Sequence, residues 1–103
     1  MKAIIGGKRY DTETATAVAS AEYSSGRDFY HWSETLYRTK NGRWFLDGEG
    51  GPLSQYAVTI GQNQWSGGAK ITTLSEQEAR KWLERYGQAD ALEQYFASQI
   101  EEA

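Results

Sequence analysis

His31 is the only histidine in the chain, and there is no cysteine. A histidine acting as a general base needs a nucleophile and an orienting carboxylate, and no local motif here supplies that set. As a metal ligand it lacks a second His or Cys at ligand spacing. His31 therefore reads as a partly exposed structural or interface residue. Asp47 and Glu49 stand beside glycines at a strand end, where a glycosidase acid pair or a hard-cation site can form. The D-x-D-x-D-G pattern and further ligands are missing, so turn chemistry accounts for the segment. Gly48-Glu49-Gly50-Gly51 is followed by no Gly-Lys-Ser/Thr, so it is not a phosphate loop. An enzyme would have to use Asp47, Glu49 and His31. The reading is instead a non-catalytic protein with no metal and no cofactor.

Two other groups of residues are suited to binding. Lys8 and Arg9 on a first hairpin, with Arg38, Lys40 and Arg43 on a second, form a basic set near Tyr30, Trp32 and Phe45. Cations beside aromatic platforms can hold single-stranded nucleic acid. The charge balance argues against it. The net charge is −3, and after Arg85 no base remains, while Asp90, Glu93, Glu101 and Glu102 do. Trp32 and Trp65 stand in polar segments without periodicity and are the candidate exposed anchors for a protein partner. Glu93, Glu101 and Glu102 are candidates for steering a basic surface. Protein binding is therefore the first reading and nucleic-acid binding the alternative.

The elements that must position these residues are punctuated by glycine. Gly6-Gly7 suits a two-residue hairpin turn between Ala3-Ile4-Ile5 and Lys8-Arg9-Tyr10. Asp11-Thr12 then caps an expected short helix from about Glu13 to Ala21, with Ala15, Val18 and Ala19 at helical spacing. Ser24-Ser25-Gly26 ends that unit. Asn41-Gly42 between strand-like arms predicts a type I′ hairpin in which Lys40 opposes Arg43 and Tyr37 opposes Leu46. Tyr37, Trp44 and Leu46 would share the core face, and Arg38, Lys40, Arg43 and Phe45 the other. Leu53 to Ile60 reads as a short helix, Gln62 to Gly68 as a polar loop and Lys70 to Leu74 as a strand. Ser75-Glu76-Gln77-Glu78 has the form of a capping box, opening a helix with Ala79, Trp82, Leu83 and Tyr86 on one face and Gly87 as its stop. A second start at Asp90 leads into a helix with Leu92, Tyr95, Phe96 and Ile100 on one side.

The expected fold is a single α+β domain over residues 1–103. It is a small antiparallel sheet built from β-hairpins, with a short N-terminal helix and two C-terminal helices packed on it. Fourteen per cent of the residues are aromatic, including four Trp and seven Tyr, enough large side chains for a core despite a polar average. The apolar stretch at the amino terminus is too short for a signal-peptide core, and a cytoplasmic location is expected.

Three segments carry a resemblance: residues 4–15 (IIGGKRYDTETA), residues 34–51 (ETLYRTKNGRWFLDGEGG) and residues 71–83 (ITTLSEQEARKWL). Together they resemble small accessory proteins of bacterial phages, plasmids and conjugative elements. Proteins of that setting include anti-CRISPR inhibitors. The resemblance implies a cytoplasmic protein of the bacterial host that binds a CRISPR effector nuclease or surveillance complex and blocks target binding or cleavage. It implies no catalytic residues.

Overall fold

A computed structural model describes residues 1–24 and 29–103. Of the expected stop at Ser24-Ser25-Gly26, Ser25 and Gly26 lie outside the described residues. The chain folds as β1 (Lys2–Ile5), β2 (Lys8–Asp11), β3 (Thr16–Tyr23), β4 (Trp32–Arg38), β5 (Trp44–Gly50), β6 (Val58–Gly61), β7 (Gln64–Ser66), β8 (Gly68–Leu74), α1 (Glu76–Arg85) and α2 (Ala89–Tyr95). A 3₁₀ turn follows at Ala97–Gln99. The central sheet is antiparallel in the order β3-β4-β5-β8, and β1-β2 and β6-β7 are separate hairpins. Among the described residues the structure is mostly sheet, and its two α-helices are both C-terminal.

The expected N-terminal helix is absent, and β3 takes its place. Asp11 closes a turn between β2 and β3 instead of capping a helix. Asp11 Oδ1 accepts from the Glu13 amide at 2.9 Å, and the Asp11 carbonyl accepts from Ala15 N at 3.0 Å. Thr14, Thr16 and Val18 then favour extended backbone, and pairing with β4 supplies hydrogen bonds that an isolated helix of this length would not outweigh. A bulge between Ala17 and Ala19 turns Ala19 and Ala21 to the same face as Leu36 and Glu34.

The Asn41-Gly42 turn joins β4 to β5 as expected, but with a different register. Only Gly42 of the pair has positive φ, at 83°. Gly42 N donates to the Thr39 carbonyl, and Thr39 N to the Arg43 carbonyl. This is a three-residue loop, a type I turn closed by a left-handed glycine. Tyr37 therefore opposes Phe45, and Leu36 opposes Leu46. A slip of one residue exchanges the faces of a strand. Arg38 joins Trp44 and Leu46 on the helix-covered face, while Tyr37 and Phe45 take the other.

Both faces are covered. On one, Leu36, Trp44 and Leu46 pack against Ala79, Trp82, Leu83, Ala91 and Phe96 of the helical layer. The small side chains of Ala19 and Ala21 let that layer settle on β3, where Gln88 Nε2 donates to the Ser20 carbonyl at 3.1 Å. On the other, the β1–β2 hairpin lays Tyr10 edge-on to Phe45, beside Ile71. Helix α1 has the expected capping box: Ser75 N donates to Glu78 Oε1 at 2.9 Å, and Glu78 N to Ser75 Oγ at 3.1 Å. It ends in a Schellman motif, with Gly87 at φ 65° and Gln88 N donating to the Leu83 carbonyl. Helix α2 stops at Tyr95, with Asp90 in its first turn rather than at its cap, and Ile100 lies exposed beyond it.

The expected helix at Leu53–Ile60 is replaced by a turn segment and β6, and the expected polar loop by β7. Gly61↔Gln64 pairing closes that hairpin around Gln62 and Asn63, the latter at φ 56°. No described helix is long and apolar enough to cross a membrane.

Candidate functional sites

The residues selected from the sequence fall at the two ends of the central sheet. One end carries Tyr23, Trp32, Gly50 and Gly68, which lie across from one another on the four strands. Here β5 continues through Gly48, Glu49 and Gly50, three residues past the strand end expected at Asp47, because those glycines serve close approach rather than a turn. A side chain at Gly48 would overlap the Tyr56 phenol, and one at Gly50 would overlap Ser54. The 51–57 segment thus lies directly on the sheet.

That segment is fixed by a buried carboxylate. Glu34 stands opposite Gly48 and is 5% exposed. It accepts from the Tyr56 hydroxyl, from Gln55 Nε2 at 2.8 Å and from Trp82 Nε1 at 2.8 Å. A buried carboxylate is stable only when its lone pairs are occupied. Three side-chain donors do this, and in doing so join β4, the 51–57 segment and α1. Burial pushes the Tyr56 phenol well above the usual tyrosine range, and the hydrogen bond to Glu34 reinforces it. The sequence reading missed Glu34. Its signal is its place in the Trp32-x-Glu34-x-Leu36 alternation of one strand face.

The surface of this end is apolar. Phe29, Tyr30, Leu53, Val58, Ile60 and Trp65 are all exposed, Ile60 by 64% and Trp65 by 50%. Backbone contacts bring Phe29, Leu53 and Val58 to this end, whereas Trp65 pairs with Thr59 and Val58 with Ser66, so Trp65 and Val58 point to opposite faces of the β6–β7 hairpin. Leu53 N donates to the Phe29 carbonyl, Gly51 N donates to the His31 carbonyl, and Val58 abuts Gly68. Trp65 is thus exposed, on β7. Trp32 differs from expectation: it lies within β4, half-buried, with its ring 5.7 Å from that of Tyr86.

At the other end, the β1–β2 hairpin and the 39–43 turn enclose an open cleft of about 510 Å³. Lys8, Arg9, Lys40 and Arg43 line it, so four of the five expected basic residues are brought together. Arg38 is not among them. Its guanidinium lies on the helix-covered face, 5.6 Å from the Trp44 ring centre and 5.7 Å from that of Tyr95. The expected aromatic platform is absent from this cleft. Phe45 is fully buried, Trp32 packs on Tyr86, and exposed Tyr30 belongs to the apolar end.

Glu93, Glu101 and Glu102 are exposed, as expected. Helix α2, which carries Glu93, brings Tyr95 to within 5.5 Å of Trp44, the first residue of β5 after the 39–43 turn. Asp47 faces the N-terminal hairpin side of the sheet. Burial raises its pKa; the amino terminus opposes that shift and Glu49 adds to it. Glu49 Oε1 accepts from Ser33 Oγ at 3.4 Å, whereas His31 packs over Gly51. No group of three or more metal-ligating side chains is found among the described residues. Comparison of the chain with protein-family models, curated proteins and solved structures returns no match.

Proposed function

We propose that this chain is a non-catalytic protein-binding inhibitor, an anti-CRISPR protein that docks on a CRISPR effector and blocks target binding or cleavage. The observation that carries the docking part is the exposure of six large apolar side chains on the 29–30 and 51–57 segments and the β6–β7 hairpin, beyond the Gly50 end of the sheet. Exposed apolar groups gathered at one place mark interaction surfaces, and Trp and Tyr supply much contact area with few rotatable bonds. The anti-CRISPR part rests on the sequence resemblance of residues 4–15, 34–51 and 71–83.

The site acts by occupancy. Trp65, Ile60 and Val58 present area from the β6–β7 hairpin, and Phe29, Tyr30 and Leu53 from the adjoining turns. Titration into an interference assay with purified effectors tests this reading. Inhibition saturates near one inhibitor per effector, survives His31→Ala and Asp47→Ala, and weakens at least tenfold in Trp65→Ala. Inhibition at strongly substoichiometric protein, or loss confined to the His31 and Asp47 variants, would return the enzyme reading.

A further inference from the structure

We infer that the cleft between the β1–β2 hairpin and the 39–43 turn is a binding site for a phosphate-bearing anion, separate from the apolar end. Four cations line it against one carboxylate, Asp11, on a chain whose net charge is −3. Positive charge is thus concentrated where the whole molecule carries the opposite sign. Such concentration is costly through mutual repulsion unless an anion relieves it.

The geometry selects the class of anion. Arg9 and Arg43 offer planar forks that pair with two oxygens at once, and Lys8 and Lys40 add mobile point charges. All four residues are exposed and border the cleft from two walls, Lys8 and Arg9 from the start of β2 and Lys40 and Arg43 from the 39–43 turn. A single carboxylate has too few oxygens to engage this set, whereas linked phosphates have enough. Asp11 does not neutralise the cleft alone, and one of its oxygens already accepts from Glu13 N. The Thr39 hydroxyl is likewise engaged, accepting from Arg43 N at 3.0 Å, which holds the Arg43 backbone in place at the cleft wall. With no exposed aromatic ring in the lining, recognition is of phosphate rather than of bases. The same chemistry is offered by a free polyphosphate and by a nucleic-acid backbone.

Calorimetric titration with inorganic tripolyphosphate and with a short DNA duplex, at low salt, tests the site. At least one probe binds, with affinity falling steeply as salt rises. Tripolyphosphate binding alone assigns the site to free phosphates; duplex binding, with or without it, assigns the site to a nucleic-acid backbone. Arg9→Gln/Arg43→Gln lowers affinity for the bound probe at least tenfold, and Lys8→Gln/Lys40→Gln does so independently. Lys81→Gln/Arg85→Gln, with the same charge change on α1, lowers it less than threefold. Thermal melting of each variant confirms the fold, since every replaced side chain is exposed. Failure of both probes to bind, or equal loss in the α1 control, overturns the proposal.

Discussion

The two ends of the central sheet are built from similar material and finished in opposite ways. At the 39–43 end, a hairpin turn and the neighbouring β1–β2 hairpin carry charge at their tips, and the surface is a cationic cleft. At the Gly50 end, the glycines of β5 admit the 51–57 segment onto the sheet, Glu34 fastens it, and the surface is apolar. The glycines differ accordingly. Gly42 is needed for a left-handed turn, while Gly48 and Gly50 are needed for space. The contrast shows where an interaction surface can be held firmly. Of the exposed apolar side chains, Leu53 lies on the 51–57 segment that the buried Glu34 network anchors, and the β6–β7 hairpin follows directly from that segment.

The comparison is broken most severely at Trp82, which is 6% exposed and donates to Glu34. Trp82→Ala removes that packing and that donor, costing about 3–5 kcal/mol in denaturant titration and disrupting both ends together. Tyr56→Phe is narrower. Loss of one hydrogen bond to a buried carboxylate costs about 1.5–3 kcal/mol. Hydrogen exchange of the variant should quicken over residues 51–57 while 39–43 stays unchanged. A raised phenol pKa gives stability that is present below the ordinary tyrosine value, near pH 10, and lost as pH rises through the higher folded value. The wild type should therefore lose stability in alkali above about pH 10, and Tyr56→Phe should lose less of it.

Gly42→Val probes the opposite end. Positive φ and a Cβ position 3.2 Å from Arg38 Nη2 predict a cost of about 1–2 kcal/mol, with faster exchange confined to the 39–43 turn. The smallest effect belongs to Asp47, between the two ends. Its raised pKa means that the folded protein holds the proton more tightly than the unfolded chain. Stability from this group is fully present below the ordinary aspartate value of 3.8 and is lost as pH rises through the folded value. Asp47→Asn should therefore raise the melting temperature slightly at neutral pH, and the difference should shrink as pH falls below 4.

What could be read in advance follows from how local each device is. The Gly6-Gly7 turn, the Ser75–Glu78 capping box and the Gly87 stop each involve a few consecutive residues, and all three were legible. The Asn41-Gly42 turn was legible as a turn, but its loop length was not. That single residue moved Arg38 from the basic set to the helix-covered face. Asp11 showed its hydrogen bonding to the residues that follow it without revealing that they form a turn and that pairing with β4 makes the next residues a strand. Trp65 was visible as an exposed aromatic, yet its companions come from turns distant in sequence. Glu34 was not legible as a clamp, because its donors lie 21, 22 and 48 residues away.

Hydrogen-exchange footprinting of the chain bound to a purified CRISPR effector tests the central claim most directly. The account predicts protection over residues 29–31, 51–53 and 58–66, with β6 and β7 slowed most and the 39–43 turn unchanged. Protection centred on 39–43 with the β6–β7 hairpin unaffected, or no binding to any effector tested, would contradict it.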